Sequence, residues 1–240
     1  MKITQDIFLL CGSMFSSVGN KESMGEAYGI VNDTGIVLID CGKSEYSLEN
    51  IYQTLNSFDI EKRITHCIIT HAHNDHCGNA KRLQEKGVKI IVGKEDYEYC
   101  INGGPKKEET PYYQEQQFQP FIPDKLIDSD ETITINGIEF ELIKVPGHTN
   151  GSLAIRTCIR GKWILFTGDI LQPNGMLLDE MNFGWKGDPY YDSVNIYKSI
   201  RKLSSFRTDI ILPGHGKICL QNGSVLLEYA MKKAYMLTKN

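Results

Sequence analysis

The sequence predicts an α/β protein in which sheets are packed between helical layers. Two observations predict it. Short apolar runs of strand length alternate along the chain with segments whose apolar residues recur at helical spacing. Each half also mixes antiparallel hairpins with helices, a combination in which helices cover the sheet faces. No Gly/Ser linker, proline-rich tract or long charge block divides the 240 residues, so a single domain, 1–240, is expected.

Taken in order, Ile3 to Leu10 and Ala27 to Val31 read as strands. Asn32-Asp33-Thr34-Gly35 turns the second back into Ile36 to Ile39 as a hairpin. Leu48, Ile51, Tyr52, Leu55 and Phe58 then follow a helical period. Ile64 to Thr70 is a strand, Asn79 to Lys86 a helix stopped by Gly87, and Val88 to Val92 a strand. The second half gives strands at Thr132 to Ile135, Ile138 to Val145, Leu153 to Thr157 and Trp163 to Thr167. Helix Ser193 to Leu203 carries Ile196, Ile200 and Leu203 on one face, and Asp209 to Leu212 forms a last strand. Leu227, Ala230, Ala234 and Leu237 mark a closing helix.

Composition narrows the function classes. The chain is 41% hydrophobic and 23% charged with a net charge of -4, so no basic field points to nucleic acid or an anionic membrane. The apolar run Ile7 to Cys11 is too short for a signal peptide, and no stretch is long enough to span a bilayer. Seven cysteines, an odd number without a C-x-x-C pair, read as reduced thiols. The expectation is a cytoplasmic protein with a small-molecule substrate and neither nucleic acid nor membrane as partner. Nothing in the sequence speaks to oligomeric state.

The stretch ITHAHNDHCGN, residues 69 to 79, carries the chemistry. It crowds His71, His73, Asp75 and His76 together directly after an apolar strand. A regular helix or strand sends such neighbours in different directions, so a loop wrapped around a ligand is expected. Three further strands end alike: IKV runs into Pro146-Gly147-His148-Thr149, WILFTGD delivers Asp169, and IILPGHG delivers His215. Five of the six histidines lie in these turns. Ligand sites commonly lie beyond the carboxyl ends of strands. His66, inside the strand, is the exception and reads as structural.

Imidazole and carboxylate are the usual ligands of zinc and also suit iron or manganese. Seven such groups exceed what one tetrahedral ion needs, but they suit two divalent ions sharing a carboxylate and a hydroxide. Glycines beside them would let backbone approach closely. Cys41 and Cys77 each adjoin a better ligand and are expected to point away.

The four motifs THAHNDH, PGHT, TGD and PGHG, in that order and over most of the chain, resemble the metallo-β-lactamase-fold hydrolase superfamily, on its glyoxalase II and lactonase-like side. The resemblance implies a four-layer αβ/βα sandwich with a dinuclear metal site at one edge of two facing sheets. It implies that His71, His73 and His148 hold one ion and that Asp75, His76 and His215 hold the other. Asp169 bridges the two on this reading, and Asp40, after the strand IVLID, supports them from behind. The ions implied are two divalent cations, Zn2+ ahead of Fe or Mn. Cys77 stands where relatives carry a small residue and is expected only to fill space.

The implied chemistry is attack by a metal-bridging hydroxide on a small ester, thioester or lactone, with Asp75 orienting the nucleophile and relaying its proton. The presence of Asp169 argues against a true β-lactamase, which lacks the bridging aspartate. Flavin-linked diiron reductases use a glutamate where His73 stands, and persulfide dioxygenases use a subset of these ligands for one iron. A basic glutathione-binding signature near the C-terminus is not evident. A phosphodiester is the alternative substrate, and a non-hydrolytic iron-dependent redox protein the alternative class.

Two long aperiodic stretches are expected to shape the pocket. Residues 102–125 carry Tyr112, Tyr113, Phe118 and Phe121, and residues 172–192 carry Met176, Phe183, Trp185, Tyr190 and Tyr191. Loops of this length are usually functional or disordered; Phe183, Trp185, Tyr190 and Tyr191 are the candidate substrate contacts, with packing onto the domain's own core as the alternative for such aromatics.

Overall fold

The computed structural model describes residues 1–12, 24–173 and 181–239. Met176, one of the aromatic-loop candidates' neighbours, lies outside the described residues. The first sheet contains β1 (Ile7–Cys11), β2 (Ala27–Asn32), β3 (Gly35–Ile39), β4 (Ile64–Ile68), β5 (Lys89–Gly93) and β6 (Lys125–Ile127), in that spatial order. The first three pair antiparallel and the rest parallel. The second sheet contains β7 (Glu131–Ile135), β8 (Ile138–Lys144), β9 (Leu153–Ile159), β10 (Lys162–Gly168) and β13 (Ile210–Pro213), ordered β13-β10-β9-β8-β7. A small antiparallel pair, β11 (Gln172–Pro173) and β12 (Met181–Asn182), stands apart.

Helices α1 (Glu45–Ser57), α2 (Asn74–Cys77), α3 (Ala80–Glu85) and α4 (Tyr97–Asn102) belong to the first half; α5 (Ser193–Leu203) and α6 (Gly223–Leu237) belong to the second. α1 starts at Ser44, whose N–H donates to Ser47 Oγ at 2.9 Å, and α5 starts where Asp192 accepts from Val194 N and Asn195 N at 2.8 and 3.0 Å. Such caps satisfy donors that a helix start leaves without intrahelical partners. The bounds of α5 match the sequence expectation. α4 and β6 were not expected, because elements this short leave no readable period.

Three buried layers glue the elements together. Phe8, Leu10, Ile36, Leu38 and Ile90 on the outer face of the first sheet pack against Leu48, Ile51 and Leu55 of α1 and Leu83 of α3. Between the sheets, Ile7, Leu9, Ile30, Val37 and Ile39 meet Phe140, Leu142, Ile155, Ile164 and Phe166. Behind the second sheet, Ile143, Ala154, Leu165 and Ile211 pack against Ile196, Ile200 and Leu203 of α5 and Leu227 and Ala230 of α6. The result is the four-layer αβ/βα sandwich. Both faces of the inner strands are apolar, which explains why they read as continuous runs rather than alternating ones. Fully buried Ile51 alone stabilises the fold by about 1.5–3 kcal/mol. No helix among the described residues is long and apolar enough to cross a membrane.

Strand direction places the site. β3 and β4 run parallel, so Asp40 and the His71 turn emerge at one edge. β8 and β10 flank β9 antiparallel and therefore share a direction, and β13 is parallel to β10. The turns after β8, β10 and β13 thus leave the second sheet together. Direct bonds join the two sheets there: Leu153 N donates to Thr70 O at 2.7 Å, and Tyr28 Oη donates to Pro213 O at 2.7 Å.

Candidate metal centre

His71 and His73 follow β4 in an extended turn, and the chain then closes into the single helical turn α2, with Cys77 N donating to His73 O at 2.9 Å. The expected loop is therefore half loop and half helix. Successive helix residues point about 100° apart, yet Asp75 and His76 both reach His215. Asp75 Oδ2 lies 3.0 Å from His215 Nε2, and His76 Nε2 lies 3.3 Å from the same atom.

The seven expected ligand residues converge as two groups of donor atoms with a carboxylate between them. His71, His73 and His148 form one group; Asp75, His76 and His215 form another; His71, His76 and Asp169 form a third that joins them. Within the first, His71 Nε2 is 3.1 Å from His73 Nδ1 and 3.0 Å from His148 Nε2. Asp169 sends Oδ1 to within 3.5 Å of His76 Nε2 and Oδ2 to within 3.6 Å of His148 Nε2 and 3.5 Å of His215 Nε2. Asp169 Oδ1 is buried without a hydrogen-bond partner among the described residues. At Gly214 a Cβ would stand 2.3 Å from that oxygen and 2.8 Å from His76 Cε1, so a side chain there would fill the centre.

Hydrogen bonds behind the rings decide which nitrogen faces inward. Asp40 accepts from Thr70 N and Thr70 Oγ1 at 2.7 and 2.8 Å, and lies 2.8 Å from His76 Nδ1. Since the Thr70 hydroxyl proton goes to Asp40, Thr70 Oγ1 is the acceptor for His71 Nδ1–H at 3.0 Å. Both His71 and His76 therefore carry a proton on Nδ1 and turn Nε2 to the centre. His73 is reversed: its Nε2 lies 2.8 Å from Asp188 Oδ2, which leaves Nδ1 facing inward. His148 Nδ1 lies 3.0 Å from Trp185 N, and its Nε2 faces inward, 3.0 Å from His71 Nε2. Asp40 itself sits at φ 61, a left-handed backbone that aspartate tolerates better than most residues.

The charge pattern divides the rings. Burial, followed by the neighbouring imidazoles, pushes His71 well below the ordinary histidine value. Burial and then His73 push His148 down to about 3. Burial also works against protonated His76 and His215, but Asp169 and Asp75 override it and raise both. Burial disfavours ionised Asp75 and Asp169 too, yet the surrounding histidines prevail and lower both below the usual carboxylate range.

These residues fit divalent metal ions. Buried imidazoles present inward nitrogens at mutual contact distance, and a buried carboxylate oxygen without a partner stands beside them. A site of this kind is costly unless something positive fills it. No cysteine joins the donor groups among the described residues. Cys41 Sγ donates to His76 O at 3.3 Å, and Cys41 and Cys77 are both buried in the core beneath the first sheet, as expected. All seven cysteines are free thiols. His66 is half-buried, with Nδ1 3.0 Å from Thr65 Oγ1 next door.

The aromatic candidates separate. Trp185 stands edge-on to His73 at 5.7 Å between ring centroids and to Tyr112 at 4.9 Å. Tyr190 is 42% exposed and packs near Tyr99. Phe183, by contrast, is buried in the core behind the second sheet, and Tyr191 packs against the same cluster. Phe183 is buried in the same apolar cluster as Ile143, Ile170 and Leu171. In the first loop Phe121 and Phe118 likewise join the core beneath the first sheet. The two loops meet, with Thr110 Oγ1 donating to Gly187 O at 3.1 Å, and the first loop also touches α2, with Asn74 Nδ2 donating to Glu115 O.

Two acidic residues escaped sequence reasoning. Asp188 holds His73, as described. Asp96 accepts from Ala72 N at 2.8 Å, Thr149 Oγ1 at 2.9 Å and Gly151 N at 2.7 Å, so it ties the His71–His73 turn to the His148 turn. Burial raises its carboxyl to about 6 against these bonds. Neither belongs to a local motif; the only available signal was the position of each in a stretch flanked by aromatics.

Comparison with known proteins agrees with this geometry. The family model of the metallo-beta-lactamase superfamily matches residues 21–215. A hydroxyacylglutathione hydrolase, GloC, from Haemophilus influenzae is 29% identical over 172 residues, covering 70% of this chain and 75% of the relative. Among solved structures, a motif mutant of a metallo-beta-lactamase from Cronobacter sakazakii superposes with a TM-score of 0.76 at 19% identity, covering 100% of this chain and 94% of that one. A metallo-beta-lactamase from Pontibacter korlensis gives 0.74 at 18% identity, covering 98% and 97%. At such identities the structural likeness speaks for the fold alone. The match over most of the chain, together with the histidine and aspartate cluster, makes the protein a metal-dependent hydrolase, and the chain belongs to the metallo-beta-lactamase superfamily.

Proposed function

We propose that this chain is a dinuclear hydrolase of a small ester, thioester or lactone, with His71, His73 and His148 holding one divalent ion and Asp75, His76 and His215 the other. Asp169 would serve both. The observation that carries the reading is the placement of Asp169 between the two donor groups, one oxygen toward His76 and the other toward His148 and His215. Zinc is the proposed metal, since a nitrogen-rich set with few carboxylates suits it. A single cytoplasmic domain without nucleic acid or membrane partner remains part of this proposal.

Bound divalent ions supply Lewis acidity and a hydroxide near neutral pH. The chain's own groups do the rest. Asp75 stays ionised because His76 and His215 oppose the burial that would protonate it, so it is ready to accept a proton at Oδ2. Its carboxylate is part of the wall and slightly exposed, which lets it pass that proton outward. On the side next to His73 stands the Trp185 ring, with Tyr112 against it. The hydroxyacylglutathione hydrolase among the relatives supports acyl compounds over phosphodiesters.

Elemental analysis and a substrate panel test this. Protein purified without chelator and reconstituted with Zn2+ should hold about two equivalents per chain. Chromogenic esters, thioesters and lactones should be hydrolysed faster than phosphodiesters. At most one equivalent after reconstitution rejects the dinuclear assignment, and faster phosphodiester cleavage rejects the acyl assignment. Bound iron with oxygen consumption and no hydrolysis would reject both.

A further inference from the structure

Five consecutive residues, Gly184 to Asp188, touch two rings of the His71/His73/His148 group and the backbone of Asp169. Gly184 N donates to Asp169 O at 2.8 Å. Trp185 N donates to His148 Nδ1 at 3.0 Å. Asp188 Oδ2 lies 2.8 Å from His73 Nε2. Gly184 has φ +68, and a Cβ there would lie 2.9 Å from His148 Nδ1, so the backbone can approach the ring only because no side chain intervenes.

Within this segment Asp188 is built as a holder. It is 5% exposed, and its Oδ1 is fixed by Tyr190 N at 2.8 Å. Its Oδ2 faces His73 and also receives the Tyr99 hydroxyl at 3.4 Å. The segment is seated from outside by Thr110 Oγ1 on Gly187 O and by Asp192 N on Gly147 O at 2.8 Å. A carboxylate that takes one ring N–H sets both the tautomer and the ring plane of a ligand histidine, and makes the opposite nitrogen more basic. His73 is the one ring of the centre that must offer Nδ1, so the ring orientation that Asp188 enforces is the reverse of that of His71 and His76.

We infer that Asp188 is the positioning residue for His73, and that the segment Gly184–Asp188 is the outer clasp of the His71/His73/His148 group. This rests on the metal-centre reading above. It adds that the segment carrying Trp185, whose ring stands against His73, is the same one that determines how tightly the first ion is held.

The test uses the full chain with Zn2+ and a competing chelator. Asp188→Ala should weaken one of two Zn2+ equivalents by about 10–100-fold and leave the other unchanged. Asp188→Asn keeps an acceptor without the charge, and should fall between Ala and the parent chain. Long-range 1H–15N correlation on the parent chain, with and without Zn2+, should show the His73 proton on Nε2. Wild-type affinity for both equivalents in Asp188→Ala would overturn the assignment, as would a His73 proton on Nδ1. If the alanine variant fails to fold, the asparagine variant and the tautomer measurement decide. A parent chain that binds one equivalent but keeps His73 protonated on Nε2 would sink the dinuclear reading and leave this one standing.

Discussion

Asp40 Oδ2 lies 2.8 Å from His76 Nδ1, with both side chains almost fully buried. The same carboxylate holds Thr70 through N and Oγ1, and Thr70 in turn takes the His71 Nδ1 proton. One aspartate therefore orients two rings that belong to different donor groups. Asp188 performs the matching task for His73 alone.

Asp40→Ala should accordingly affect both ions. Removing it strands the Thr70 N–H and the His76 Nδ1–H in a buried place, which costs about 1–3 kcal/mol for each unsatisfied donor. Zn2+ affinity should fall about 10–100-fold at the Asp75/His76/His215 group, with a smaller loss at the other. Chelator competition combined with thermal melting checks this. Unchanged binding of both equivalents would mean that Asp40 only braces the backbone.

A second expectation concerns the order in which acid strips the metal. His76 and His215 have raised values in the metal-free chain, so protons compete for their nitrogens at or above the ordinary histidine value of ~6.5. His71 and His148 are lowered, His148 to about 3, and remain neutral well below pH 6.5. The ion at Asp75/His76/His215 should leave first as pH falls, and activity should fall with it. Linkage in the metal-free chain has two signs. His76 and His215 contribute stability that is full below ~6.5 and is lost as pH rises through their raised values. The stability tied to His71 and His148 is present above ~6.5 and is eroded as pH falls toward about 3. Metal content measured after dialysis from pH 8 to pH 5 should show two steps; simultaneous loss would contradict the assignment.

The third expectation tests the cleft wall. Trp185→Ala removes an indole that contacts Tyr112 and His73 but keeps the backbone N–H on His148. Loss of a large apolar surface is worth about 1.5–3 kcal/mol, so KM should rise roughly 10–100-fold. Phe183→Ala should act differently, lowering the melting temperature through a core cavity. Steady-state KM and thermal melts on both variants separate wall from core. A Trp185→Ala enzyme with parental KM would remove that residue from the pocket.

How far the sequence reached can be seen in these residues. The residues that converge on the centre were legible because four apolar strands each end in a turn bearing histidine or aspartate. The bounds of α5 were legible because Asp192 caps a clear helical period. The one-turn helix α2 was not, since four residues carry no period. Phe183 and Trp185 look alike in sequence, and only tertiary neighbours decide which faces the core. Asp188 and Asp96 are single carboxylates whose partners lie far along the chain, so the folded chain alone brings them into the site.

Within α2, Asp75 and Cys77 separate proton handling from packing. Asp75 faces His215 at 3.0 Å, whereas Cys77 is fully buried in the core beneath the first sheet. Replacing His71, His148 or Asp169 by alanine removes a donor from the centre and should lower metal content together with activity. Asp75→Asn keeps an oxygen that can coordinate but cannot accept a proton. Its turnover should drop by about 10²-fold or more, the usual scale for a positioned acid–base group, while most of the metal stays bound at saturating Zn2+. Cys77→Ala removes one buried sulfur and should cost about 1 kcal/mol of stability with little change in turnover. Burial already holds that thiol well above its ordinary value, so it offers the centre no thiolate. Metal occupancy and turnover measured side by side decide the matter. A metal-loaded Asp75→Asn enzyme with full activity would transfer the proton step to another group, and selective metal loss in Cys77→Ala would make the sulfur a ligand after all.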